Sequence, residues 1–185
     1  MSLNCENDIK KILIIEPPVP NSKKVKCEKE KKLRVETNTW GLTDDELKHE
    51  YQLQSLNTFD ISININEDKY KKLIKSHLKD KINSYKQQDI VKKRLNDAEF
   101  VSLNDTIDLL KHCEMKCAYC SEEVYILYEK VREKRQWSLD RINNDIGHNR
   151  GNLLIACLEC NLKRRRTNKD AFFFTKNMVI IKDDK

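Results

Sequence analysis

Two Cys-x2-Cys pairs, Cys117/Cys120 and Cys157/Cys160, constrain this chain more than any other feature of it. A pair at this spacing presents two thiolates to one face of a tetrahedral ion, and a second pair completes the shell. Four sulfur ligands leave no open position for a reacting water. The spacing therefore points to a structural Zn2+ held by Cys117, Cys120, Cys157 and Cys160. The competing reading is a set of unrelated buried thiols. Cys113, four residues before Cys117, and the isolated Cys5 and Cys27 read as ordinary thiols.

The metal reading depends on where the chain resides. The only apolar patch near the N-terminus is Ile12 to Ile15, and Glu16 and Pro17 follow it without a small-residue cleavage site. No apolar run reaches the ~18 residues of a membrane span. The expectation is an intracellular, reducing compartment (cytoplasm or nucleus), with no membrane partner and with cysteines as thiols or ligands rather than disulfides. Of the 185 residues, 36% are charged and 38% hydrophobic, so core-forming material is lean and a metal staple would add much. The net charge of +6 suits a polyanionic partner, although a lysine-rich composition alone produces it.

Residues 1–40 read as an irregular or disordered arm, with Pro17, Pro18 and Pro20 followed by the charged stretch Lys23 to Arg34. Residues 41–112 read as a mainly helical extension. Thr43-Asp44-Asp45-Glu46 matches a capping box, predicting a helix from there to about Leu56. Phe59 to Ile65 alternates with period two and reads as a strand or an extended linker. From residue 66 to 97, with Asn66 as N-cap, Tyr70, Leu73, Ile74, Leu78, Ile82 and Tyr85 recur at helical steps. The change of phase at Ile90, Val91 and Leu95 suggests a break into two helices. Ser102 or Asn104 would cap a further helix through Leu110 and Cys113.

Residues 113–185 differ in character. Val124 to Glu129 and Trp137 to Ile142 have strand composition, residues 143–151 form a polar loop, and Asn152 to Ala156 reads as the second strand of a hairpin. A helix from Glu159 to about Arg166 follows. Phe172 to Phe174 and Val179 to Ile181 are candidates to pack back onto this module.

The string Trp137-Ser138-Leu139-Asp140-Arg141-Ile142 is followed by a loop, by Gly151-Asn152-Leu153-Leu154, and by Cys157-Leu158-Glu159-Cys160-Asn161-Leu162-Lys163. In this order and spacing, residues 113 to 168 resemble the HNH endonuclease family in its zinc-stapled, ββα-metal branch. The strings around Arg135-Gln136-Trp137, Gly147-His148-Asn149 and Cys160-Asn161-Leu162 look like those of HNH proteins of large DNA viruses. The resemblance implies an α+β fold in which a C-terminal ββα-metal module with a four-cysteine zinc site follows the helical region and the arm. It further implies a metal-dependent DNA endonuclease. Asp140 and Asn161 would hold a catalytic Mg2+ or Mn2+, whose hard character suits oxygen ligands; the competing reading of Asp140 is a salt bridge to Arg141 or a neighbour. Asn152 would tie the hairpin loop. A homodimer would serve a nuclease that cuts both strands.

One departure stands out. The family places histidine directly after the aspartate as general base, and here that position is Arg141. Arginine accepts no proton at neutral pH but can clamp a phosphate. His148, in the same loop, is the leading substitute base, and the competing reading is a solvent-exposed turn histidine. Tyr119, Tyr125 and Tyr128 are further candidates for a base or nucleophile, and Asp145 for an extra metal carboxylate. Lys163, Arg164, Arg165, Arg166 and Lys169, on or beyond the metal-binding helix, are candidate phosphate contacts. Three functions follow: a DNA endonuclease, a catalytically impaired HNH-like zinc module that binds nucleic acid, and a protein-interaction module.

Overall fold

The computed structural model describes residues 32–59 and 68–178. The expected strand at 59–65, the cap at Asn66, the segment Val179 to Ile181, and residues 1–31 of the arm lie outside the described residues, apart from Phe59. The described residues fall in one compact unit, Lys31–Lys185. Its fold is mixed α+β. A 3-10 turn (Val35–Thr39) precedes α1 (His49–Asn57), α2 (Lys69–Val91), α3 (Leu103–His112), β1 (Trp137–Arg141), β2 (Leu153–Cys157), α4 (Leu158–Arg164) and α5 (Lys169–Asn177).

The longest element, α2, is one unbroken helix and ends only at Lys92 and Lys93, where Lys93 turns left-handed (φ 53°). No break accompanies the change of phase, because Ile90 and Val91 simply emerge on its exposed side. Its buried stripe runs Tyr70, Ile74, Leu78, Ile82, Tyr85 and Asp89. The capping box at Thr43 forms, with Thr43 N–H donating to Glu46 at 2.7 Å, but it closes only a turn. Lys48 is extended (φ −66°, ψ 150°), so α1 starts afresh at His49. Ser102 caps α3 in a reciprocal box with Asp105.

β1 and β2 pair antiparallel with Asp140 opposite Leu154 and Trp137 opposite Cys157. Val124 to Glu129 is not a strand, despite its composition. Its main chain bonds elsewhere: the buried Gln52 side-chain oxygen accepts from Ile126 N–H and Leu127 N–H, each at 2.9 Å, and Val124 N–H donates to Met115 O at 2.8 Å. A side chain thus takes the place of a neighbouring strand, and only a single bridge, Tyr125 with Gln136, remains.

The last part of the expected arm is docked. Arg34 N–H donates to Glu129 O at 2.8 Å, the Arg34 guanidinium lies 4.5 Å from the centre of the Tyr128 ring, and Trp40 is buried. Trp40 belongs to the same apolar cluster as Leu56, Ile74, Leu78, Leu110, Trp137 and Ile155, so one core spans α1, α2, α3 and the hairpin. Phe172 packs on this core through an edge contact with Tyr119, while Phe173 and Phe174 are exposed. No helix among the described residues is long and apolar enough to cross a membrane.

Candidate functional site

The four cysteines of the two pairs converge. Their sulfur atoms all lie within 4.8 Å of one another, and Cys120 Sγ is 3.9 Å from Cys157 Sγ. A tetrahedron of Zn–S bonds has edges of roughly 3.8 Å, so the cluster matches the size a metal such as zinc requires. Each knuckle is preformed by its own backbone. Tyr119 N–H points at Cys117 Sγ and Cys160 N–H at Cys157 Sγ, both at 3.4 Å, and Ser121 takes a left-handed φ of 57° to turn the first knuckle. Without a cation the thiols compete. A hydrogen bond from Cys157 favours the Cys117 thiolate and lowers its pKa to about 4, while that same partner and burial push Cys157 up. A bound divalent ion removes the conflict by stabilising all four thiolates. Cys113 is half-buried and stands outside the cluster.

The cluster joins β2, α4 and the loop before β1, and so braces the hairpin. Asp140 on β1 is buried, and both of its oxygens are engaged: Tyr119 OH donates to Oδ2 at 2.6 Å and Arg164 Nη1 to Oδ1 at 2.7 Å. Arg164, only 1% exposed, also donates to Arg141 O at 2.7 Å and Ile142 O at 3.0 Å. The expectation that Arg164 touches phosphates is therefore corrected: its guanidinium is an internal tie between α4 and the end of β1. Asn161, one turn earlier on the same helix face, donates through Nδ2 to Ser138 Oγ at 3.1 Å and Leu139 O at 3.2 Å. As arranged, Asp140 and Asn161 do not fit a catalytic divalent cation. The carboxylate is neutralised by a buried guanidinium, and Asn161 turns its donor, not its oxygen, toward β1.

The loop between the strands is closed by Asn152. Its Nδ2 donates to Asn143 O and Gly147 O, both at 3.0 Å, and its Oδ1 accepts from Asn143 N–H at 2.8 Å. His148 is 4% exposed, not the solvent-facing turn residue that was its alternative. Its main-chain N–H donates to Asp89 Oδ2 at 2.6 Å and its Nδ1 lies 2.9 Å from the same oxygen. The ring rests on Tyr85, with centroids 4.6 Å apart. Burial outweighs the carboxylate and holds its pKa below the ordinary histidine value. Among the described residues Nε2 has no hydrogen-bond partner, and unlike Arg164 Nε it is not a sealed orphan.

Arg141 shares the same carboxylate, its Nη1 lying 3.9 Å from Asp89 Oδ1 and 3.2 Å from Ile146 O. Arg141 and His148 therefore meet at Asp89, a fully buried residue of α2. Sequence reasoning missed Asp89. The available signal was a carboxylate in phase with the apolar stripe, four residues beyond Tyr85, where a solvated aspartate does not belong.

The remaining candidates disperse. Tyr119 donates its proton to Asp140 and burial raises its pKa, so it is no base near neutrality. Tyr125 bonds Glu123 at 2.8 Å and Tyr128 bonds Gln136 at 2.9 Å. Asp145 is exposed and pairs with Arg166 at 2.9 Å, and Lys163 pairs with Glu159 at 2.9 Å. Arg165 is exposed. No protein-family profile, curated protein or solved structure matches the chain.

Proposed function

We propose that this protein is an HNH-type phosphodiesterase acting on DNA, its hairpin braced by a four-cysteine zinc site. One observation carries the reading. The position where the family resemblance calls for a histidine is Arg141, and His148 reaches the same carboxylate as Arg141 from the other end of the loop. A base displaced in sequence is thereby returned to the neighbourhood of β1.

The roles follow from the contacts. Asp89 accepts the Nδ1 proton of His148 and so fixes the tautomer in which Nε2 carries the free lone pair. The lowered pKa keeps the ring neutral at pH 7, able to take a proton from an attacking water. Asp89 is thus a positioning residue. Arg141, anchored on Ile146 O and facing Asp89, places positive charge where a phosphate oxygen would gain negative charge. None of these roles depends on a divalent ion at Asp140.

A second reading is favoured by the Asp140–Arg164 pair. In that reading cutting would need a metal ion at Asp140, which the pair leaves no room for, and the module binds nucleic acid without cutting it. Nicking of supercoiled DNA, with Mg2+ or Mn2+ supplied, separates the two. The nuclease reading expects cleavage that drops on the order of 100-fold in His148→Ala. For Asp89→Asn it expects a smaller loss with a displaced pH profile. Cleavage indifferent to His148→Ala would place the base elsewhere. An intact plasmid under every condition would leave the binding module.

A further inference from the structure

The face of α4 that turns away from Asp140 borders an open groove of about 760 Å³, walled on the other side by residues 132–134. Main-chain bonds hold the two walls together: Glu159 N–H donates to Lys134 O at 3.1 Å, and Leu158 N–H to Gln136 O at 3.0 Å. Leu158 and Leu162 form an apolar floor, and Leu162 is 64% exposed. Arg132, Lys134, Lys163 and Arg165 stand around it. Glu159, the carboxylate among these lining residues, is already met by Lys163 at 2.9 Å and Lys134 at 3.9 Å.

The two arginines have no ion-pair partner among the described residues, and both sit on left-handed backbone. Arg132 has φ 55°, and Arg165 has φ 54° with ψ −111°. Side chains with a Cβ are strained there and glycine is not. At two separate places on one groove, the chain carries a guanidinium where glycine would sit more easily. Both side chains are exposed, so packing does not hold them there; the exposed Lys93 and Glu114 share this backbone but do not line the groove, and it is the pairing of two guanidiniums on one groove that sets Arg132 and Arg165 apart.

We propose that this groove binds a single strand of nucleic acid, with phosphates on Arg132 and Arg165 and a base or sugar against Leu158 and Leu162. The proposal rests on the reading that the module acts on nucleic acid, and it names where a strand lies. A basic groove with a small apolar platform is how sequence-tolerant strand binding is built. An amphipathic helix needs anchors spread over two turns or more, and a floor of two leucines is too short for it. The groove is distinct from the inward face of α4, where Asn161 and Arg164 are engaged with β1.

The test uses the full chain with no added Mg2+ or Mn2+, so that binding is read without cleavage, and a fluorescein-labelled oligodeoxythymidine as probe. Arg165→Gly should weaken binding while raising Tm, a pairing of effects that a residue kept for structure would not give. Arg132→Gly with Arg165→Gly should lower affinity roughly tenfold near physiological salt and reduce the log–log salt slope by about 1.4, two phosphate contacts on single-stranded DNA. Leu162→Glu, at an exposed site, should weaken binding without loss of stability. Wild-type binding with unchanged affinity and slope in the double variant would overturn the groove and leave the nuclease reading to its own cleavage test. So would wild-type chain that binds no oligonucleotide, or that binds an acidic amphipathic peptide in its place through the same two arginines. Nicking of supercoiled DNA by the wild-type chain is scored separately with Mg2+ or Mn2+ supplied, which separates failure of the groove from failure of the proposed chemistry.

Discussion

Gly147→Ala would place a Cβ 2.6 Å from the Arg94 carbonyl oxygen and 2.8 Å from Asp89 Oδ2. Neither neighbour is the loose end of a flexible side chain. Arg94 O is main chain, on a residue whose N–H is bonded to Asp89 O at 2.8 Å. Asp89 Oδ2 is fixed by the His148 N–H at 2.6 Å and by its ring. The loop must therefore retreat until 2.6 Å becomes at least 3.0 Å, and the bonds that give way are those of His148 to Asp89. Overpacking costs about 1–3 kcal/mol. Weakening a hydrogen bond to a buried carboxylate adds about 1.5–3 kcal/mol. A loss of about 2.5–6 kcal/mol is expected, a large part of the roughly 5–15 kcal/mol that holds a domain folded. Urea unfolding at unchanged m-value measures it, and the His148 ring resonances should move together with the loss. A change below about 0.5 kcal/mol, the range of an ordinary surface substitution, with His148 resonances in place would refute the claim that this loop is locked onto α2.

Three further outcomes follow from the same contacts. Arg164→Ala leaves the Asp140 carboxylate buried beside Tyr119 and frees two carbonyls; it should cost about 3–5 kcal/mol in urea unfolding, whereas a solvated phosphate-binding arginine would cost almost nothing. Metal analysis should find one zinc per chain, and adding Zn2+ to chelator-treated protein should raise Tm with concentration, by about 4 kcal/mol of stability at a thousandfold excess over Kd. Cys160→Ser should abolish most of that gain. Lys81 is half-buried against Trp137 and Gln136, and desolvation lowers its pKa from 10.5 to about 7. Between those values the unfolded chain binds the proton and the folded chain does not, so stability should rise from pH 7 to pH 10 by up to about 1.4 kcal/mol per unit. Lys81→Met should flatten that slope.

The four-cysteine cluster and the β-hairpin were legible because both are local rules. Two knuckles announce a tetrahedral donor set wherever the chain takes them, and apolar strands flanking a polar loop announce a hairpin. What stayed hidden was non-local. The family resemblance makes Asp140 a metal carboxylate, but its partners Tyr119 and Arg164 come from either side of the hairpin. Val124 to Glu129 carried the composition of a strand, and only the placement of Gln52, from α1, determined that its backbone bonds would go to a side chain. The capping box at Thr43 formed and still did not start a helix, because three further residues had to continue the helical dihedrals and Lys48 does not. Local patterns say what a segment can do. The partners of its polar groups say what it does.

The same reasoning bears on what counts as the functional module. The family resemblance begins at residue 113, yet the hairpin leans on the chain before it at several polar points. Leu139 N–H donates to Tyr85 OH at 3.1 Å, Val101 N–H to His148 O at 3.0 Å, and Arg150 N–H to Glu99 O at 2.8 Å. Asp89 receives both the main chain and the ring of His148. Arg150 and Glu99 are exposed, but the other groups belong to buried residues, and each of those left without a partner costs about 1–3 kcal/mol. A small hairpin-and-helix unit, even with a zinc staple, has little stability to set against several such losses. The helical region from α2 to α3 is therefore better understood as the rear wall of the hairpin site than as an appended domain. If His148 is the base, the residue that orients it lies outside the stretch that carries the family signature.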